Sequence, residues 1–156
     1  MEVQSITKNN RMSAQKMREV VRQIQGLPAV QAAAVLAVTP RKGARMVLKT
    51  LKSAMANAEN IRAEWTDAKL RQEISNLQGQ LGNTGNHKRR NKLQRSLDAY
   101  QSFLDSPHRL AAGSLVVKEA HAGAATTLKR STPKARGSSG PILRRNCHIK
   151  IVLSDQ

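Results

Sequence analysis

The stretch "STPKARGSSGPILRR", residues 131–145, decides how the rest of the chain is read. Lys134, Arg136, Arg144 and Arg145 make it basic, Pro133, Pro141, Gly137 and Gly140 punctuate it, and it holds no acid. A short strand-like run, "LVVK" (115–118), precedes it and a cleaner one, "IKIVL" (149–153), follows. In the second run Ile149, Ile151 and Leu153 alternate with Lys150 and Val152, the pattern of a strand with one buried face. If the two runs pair, the residues between them form a long hairpin. Arms of about ten residues, at roughly 3.3 Å each, reach some 30 Å. A projection of that length buries no core of its own. Its cations, glycines and prolines suit close approach to a phosphate backbone, with the partner supplying rigidity. The plain alternative is a disordered basic loop.

Charge supports the first reading. Among 156 residues, 27 are Lys or Arg and 10 are Asp or Glu, a net charge of +17. The length allows one domain, or one domain with an appendage. Such an excess repels itself in a compact state and calls for an anionic partner. Nucleic acid comes first, because phosphate neutralisation by Lys and Arg releases counterions. A membrane surface is the rival, but the sequence has no apolar run near 18 residues and no signal-peptide pattern. A cytoplasmic location is therefore expected, with no membrane partner.

Catalytic and metal chemistry find little to stand on. Cys147 is alone, which leaves no internal disulfide and no thiolate cluster. His87, His108, His121 and His148 lack ligand spacing. No phosphate loop, nucleophile elbow or nominated carboxylate pair occurs. We expect no enzyme, no metal, no cofactor and no small-molecule substrate.

Residues 2–8 read as a strand or extended arm. In "RMSAQKMREVVRQIQGLP" Ser13 is a candidate N-cap, and Met17, Val20, Val21 and Ile24 fall on one helical face. Gly26 suits a left-handed helix cap, and Pro28 forbids continuation. An Ala-rich helix fits 29–37. Thr39-Pro40 is read as the N-cap and first position of a third helix, from 41 to about 60. On it Ala44, Val47, Leu48, Leu51, Met55 and Ala58 form an apolar stripe. Arg41, Arg45, Lys49 and Lys52 form a basic stripe. A solvated face is the bland reading; a phosphate-facing ridge is preferred, because no acids are interleaved on that face to pair with it.

Residues 66–105 read as a helical hairpin. Leu70, Ile74, Leu77 and Leu81 share the spacing of Leu93, Leu97, Tyr100 and Leu104, "GNTGN" (82–86) supplies the turn, and Pro107 ends the second helix. "HKRRNK" (87–92) puts Lys88, Arg89, Arg90 and Lys92 at a helix start, where the dipole disfavours cations. A solvated cluster and a contact to RNA or a neighbouring protein both remain open. Trp65, Tyr100 and Phe103, the three aromatics, all lie in this middle region.

Four segments together resemble the ribosomal protein L twenty-two family of the large subunit, in its bacterial or organellar form: "RMSAQKMREVVRQIQG" (11–26), "LKSAMANAEN" (51–60), "LKRSTPKARGSSGPILRR" (128–145) and "CHIKIVLSD" (147–155). The resemblance implies an α+β fold: three helices packed on a small antiparallel sheet, with an extended β-hairpin at about 115–153. Residues 1–65 and 107–156 would form that domain, and 66–106 would be an inserted helical, coiled-coil-like hairpin. The implied role is structural: binding large-subunit rRNA, supporting its assembly, and lining the nascent-peptide exit tunnel with the hairpin. The implied partners are rRNA, neighbouring large-subunit proteins and the nascent polypeptide. Carried over by position, the rRNA-facing residues are Arg11, Ser13, Lys16 and Arg18 in the first helix, and Lys129, Arg130, Lys134, Arg136, Gly137, Arg144 and Arg145 in the hairpin. The chain departs from the family pattern at Ser138 and Pro141, where basic residues are usual, in a longer approach (121–127), and in the middle. A free DNA-bending protein is the second class that fits a basic helix-plus-arm chain.

Overall fold

β5 (Cys147–Asp155) is the middle strand of a three-stranded antiparallel sheet, between β1 (Glu2–Asn10) and β2 (Leu115–Ala124). The computed structural model describes residues 2–105 and 110–155. Among them are five helices and a second, two-stranded sheet, an α+β architecture. Cys147, Ile149, Ile151 and Leu153 point to the helices and are fully buried. They align with Val3, Ser5 and Thr7 on β1 and with Val117, Ala120 and Ala122 on β2. Val152, expected on the wet face, is 5 % exposed. As the central strand's residue it is covered on both sides by Gln4 and Glu119, its register partners. A bulge at Lys118 puts both Lys118 and Glu119 outside, where Glu2–Lys118 and Glu119–Lys150 pair across the outer face.

α1 (Ala14–Val21), α2 (Ala29–Val38) and α3 (Lys42–Glu64) cover the inner face. Met17, Val20, Val21 and Ile24 are buried as the helical spacing predicts. Each contributes about 1.5–3 kcal/mol by leaving water. Gly26 has a φ of +76°. Its N–H, however, bonds the Val117 carbonyl at 2.9 Å and not a helix carbonyl, so the turn docks on the sheet. Ser13 holds the N-cap position of α1 with extended backbone but makes no capping bond. Thr39 belongs to the preceding helix: its hydroxyl donates to the Val35 carbonyl at 2.7 Å. Arg41 is the residue at the N-cap position of α3, so the expected Thr39-Pro40 start is displaced by two residues. α3 runs four residues past Asn60, and its buried face adds Gly43, Thr50 and Ala54. Thr50 enters the core with its hydroxyl shared between Thr7 (2.8 Å) and the Met46 carbonyl (3.1 Å).

The outer edge of β2 is stitched closed. Val117 exchanges backbone bonds with Gly26 and Leu27. Further along, Gln25 Nε2 donates to the Ala120 carbonyl at 2.6 Å and Arg18 Nε to the Ala122 carbonyl at 3.0 Å. Beyond this edge the arms continue as β3 (Leu128–Pro133) and β4 (Ser139–Arg144), paired in register from Leu128↔Arg144 to Pro133↔Ser139. The long basic hairpin expected from the sequence is therefore built. At Ala125–Thr127 the ladder lapses, and Ala125 N–H to the Asn146 carbonyl (3.0 Å) and Asn146 Nδ2 to the Thr126 carbonyl (3.0 Å) bridge the joint.

α4 (Asp67–Gly82) and α5 (His87–Asp105) form the helical hairpin, joined where the turn was expected. Its seam is buried at one end. Leu70 is fully buried, while Ile74, Leu77, Leu81, Leu93, Leu97 and Tyr100 stay half-exposed, as two helices without a third layer must leave them. The deepest anchor is Phe103, outside the predicted seam, with Trp65 stacked on Tyr100 at 5.0 Å between centroids. These residues join the main core. Pro107 and His108 lie outside the described residues.

Candidate nucleic-acid interface

Two separately identified basic segments meet at the root of the β-hairpin. Arg11, Ser13 and Lys16, from the corner between β1 and α1, face Arg130, Arg144 and Arg145 across an open groove of about 630 Å³. Its remaining lining is Asn146, which bridges the joint, and Leu128 and Leu143, which are 42 % and 46 % exposed. All five cations in it are exposed. Among the described residues no carboxylate pairs with any of them. A polyanion strand lying there would meet point charges from Lys16 and planar donors from the arginines, the two modes by which phosphates are held. The joint at 125–127 sets the angle at which the outer arm leaves the domain.

The tip is a tight turn. Lys134 N–H bonds the Ser138 carbonyl at 2.7 Å around a single 3-10 turn, Ala135–Gly137. Arg136 has φ +59° and Gly137 φ +70°. Glycine adopts this conformation freely; arginine at about 1–2 kcal/mol. Arg136 is thereby thrust outward at the extreme end. Lys134 folds back over Gly140, where a Cβ would collide with the lysine's Cε. Lys129 is exposed on β3, outside the root groove. The turn is closed by the Lys134–Ser138 backbone bond at the end of the β3–β4 ladder.

Arg18, placed with this group by resemblance, is exposed but has its Nε committed to the Ala122 carbonyl. Its role in the fold is to hold the β2 edge. The basic stripe of α3 is exposed throughout, yet it divides. Arg41 and Arg45 join Lys42 beside Val38 and Pro40 in a second open groove of about 620 Å³, which Lys49 and Lys52 do not line. Arg41 also pairs with Glu19 of α1. The absence of acids along α3 itself concealed this partner, which tertiary packing brings from another helix. On the helical hairpin Lys88, Arg89, Arg90 and Lys92 are exposed, and Asn86 Oδ1 accepts the Lys88 N–H at 3.1 Å, capping α5 despite the cations. Sequence reading missed Lys42, Arg95, Asn146 and the apolar pair Leu128/Leu143. Arg95, seven residues after Lys88, carried a helical-spacing signal; the others depend on packing.

Among the described residues no group of three or more His, Cys, Asp or Glu is placed to hold a metal. Burial raises the pKa of the Cys147 thiol and keeps it protonated. No described helix is long and apolar enough to cross a membrane.

A small α+β domain carrying a cationic β-projection, with an exposed cationic groove at its root, is the architecture of a polyanion-holding structural protein. The family model described as "Ribosomal protein L22p/L17e" matches residues 5–78 and 71–154, and the two matches meet inside α4. The chain belongs to this family of structural large-subunit ribosomal proteins. It is 35% identical over 156 residues to "Large ribosomal subunit protein uL22" of Akkermansia muciniphila, covering 100% of this chain and 98% of that one. It is 36% identical to the protein of the same name from Opitutus terrae, over 99% of this chain and 96% of that one. For Latilactobacillus sakei the figures are 32%, 94% and 86%. The near-equal coverage means that the first two relatives are about as long as this chain and that their alignments run through residues 66–106.

Proposed function

We propose that this protein binds large-subunit rRNA through the groove at the root of its β-hairpin, supports rRNA folding during assembly, and extends the hairpin tip to the wall of the exit tunnel, where it meets the nascent polypeptide. The observation that carries this reading is the convergence of Arg11 and Lys16 with Arg130, Arg144 and Arg145 on one face, although more than a hundred residues separate the two groups in sequence. The domain then sits against rRNA at the groove, and the self-supporting hairpin passes onward between RNA segments with Lys129, Lys134 and Arg136 as phosphate contacts and Gly137 as the turn that lets Arg136 lead. Arg45, Lys49 and Lys52 offer a further, non-specific backbone contact on α3. Neighbouring large-subunit proteins are the other expected contacts, in ribosomes of the bacterial cytoplasmic type.

Crosslink mapping in the protein's own cells tests this. Crosslinks from residues 129–145 to large-subunit rRNA are expected, together with a crosslink from the tip to a stalled nascent chain. Sedimentation with the nucleoid and without rRNA crosslinks would overturn the reading in favour of DNA binding. A tip that crosslinks to rRNA but never to nascent chains would remove the tunnel role alone.

A further inference from the structure

α5 carries a second, independent basic face. Lys88, Lys92 and Arg95 share one side of the helix with the small residues Ser96 and Ala99. The 3.6-residue period turns Lys88, Lys92 and Arg95 away from the seam of Leu93, Leu97 and Tyr100, and half-buried Ser96 and Ala99 border this face. Arg89 lies to the side, in a groove shared with Glu73 and Asn76 of α4, and the same period turns Arg90 away from Lys88. Five cations between residues 88 and 95 are thus sorted, and three of them face outward together. Among the described residues no carboxylate pairs with these three, and α5 itself has no acid before Asp98.

The placement is costly without a partner. Cations in the first turn oppose the helix dipole, and Lys88 and Lys92 repel at i, i+4. The distal half of the hairpin buries no side chain that would offset this. An exposed like-charge ridge along about 10 Å of helix, interrupted by residues no larger than serine and alanine at its proximal end, fits a polyanion strand that lies along the helix. We propose that the outward face of α5, Lys88, Lys92 and Arg95, is a second RNA-backbone contact, which holds the helical hairpin against rRNA at a place apart from the β-hairpin. It rests on the ribosomal reading for the identity of the RNA, and on the charge and geometry of α5 for the contact.

The test uses the full-length protein with a photo-crosslinking amino acid at position 96, incorporated into large subunits in cells. An rRNA crosslink is expected from Ser96, and it should be lost in the Lys88→Gln/Lys92→Gln/Arg95→Gln variant, in which glutamine preserves helix propensity. The variant should still enter large subunits through the β-hairpin. Arg90→Gln, on another side of α5, should leave the crosslink intact. With purified protein and a double-stranded RNA, the triple variant should lower the slope of log K against log salt by about two to three. A Ser96 crosslink to a ribosomal protein, no crosslink in subunits that contain the protein, or an unchanged slope would each overturn the proposal. Failure of the protein to enter large subunits at all is a different result, and it would overturn the proposed function as well.

Discussion

The molecule extends two hairpins, one of strands and one of helices, and they are fastened in opposite ways. β3 and β4 follow β2 and precede β5 along the chain but form a two-stranded ladder of their own, joined to the main sheet across 125–127 by backbone and side-chain bonds of Asn146. α4 and α5 share no ladder with anything. Side-chain packing at the base fastens them: Leu70, Phe103 and the Trp65–Tyr100 stack. The outer ladder fixes the register of the arm's two strands and leaves most of their side chains exposed. A packed base fixes position only as well as its few apolar contacts allow. The first arrangement suits a long probe threaded through RNA; the second suits an arm that settles on a surface.

The largest effect should come from the weaker fastening. Phe103→Ala removes the deepest anchor and should cost about 3–5 kcal/mol of local or global stability. Hydrogen exchange distinguishes the two. Protection should fall throughout α4 and α5 and persist in β5. Equal loss in β5 would mean that the helical hairpin is part of the central core and that the contrast in fastening is false.

The β-hairpin should respond in binding more than in stability. Arg144→Ala/Arg145→Ala should leave the melting temperature nearly unchanged, since both side chains are exposed and unpaired. It should lower the salt slope of rRNA binding by about two. An unchanged slope would mean that the root groove faces solvent in the ribosome.

Much of this architecture was legible in the sequence, for reasons that differ by region. The period of α1, the alternation in β5 and the paired seams of α4 and α5 are local signals, and each element formed where its signal lay. Thr39 misled because a hydroxyl before a proline serves equally well to cap the helix that ends there. Phe103 escaped because it packs toward the main core and not across the seam. Of the site, the cations themselves were visible, as was the family likeness that grouped them. Their sorting was not. Arg41 finds Glu19 on another helix, Arg18 holds a strand edge, and Lys49 and Lys52 stand apart from Arg41 and Arg45, all by tertiary placement that no spacing rule carries. The joint at Asn146, which aims the β-hairpin, depends on two bonds to distant residues: its amide donates to the Thr126 carbonyl and its own carbonyl accepts the Ala125 N–H.

A smaller effect tests whether the tip is shaped in advance. Gly137→Ala forces a side chain into a left-handed residue and should cost about 1 kcal/mol, confined to the turn. Proteolysis at the tip should accelerate with no change in global unfolding. If rRNA binding is unaltered while the tip is nicked faster, the turn is imposed by RNA in the complex, and the hairpin is less self-supporting than its ladder implies.

The smallest effect lies on the sheet's outer face, where the ladder alone should suffice. Glu2 is held below the usual carboxylate range, first by its hydrogen bond with Lys118 and then by that residue's charge. Lys118 is raised by the same bond with Glu2. The signs are opposite at the two ends of the pH scale. A depressed carboxyl stabilises the fold above its unfolded pKa, and that contribution disappears as pH falls through the folded value. A raised ammonium stabilises below its unfolded pKa, and the contribution disappears as pH climbs through the folded value. The pair therefore acts across the whole range between the ordinary carboxylate and lysine pKa values. Both groups are highly exposed, so solvent and salt screen the interaction heavily. Glu2→Gln should lower the melting temperature slightly at neutral pH and low salt, and not at all at high salt or below the carboxylate range. A large drop that persists in high salt would show that this end of β1 depends on its charge pair, and that the sheet is less completely fixed by its backbone than the β-hairpin requires.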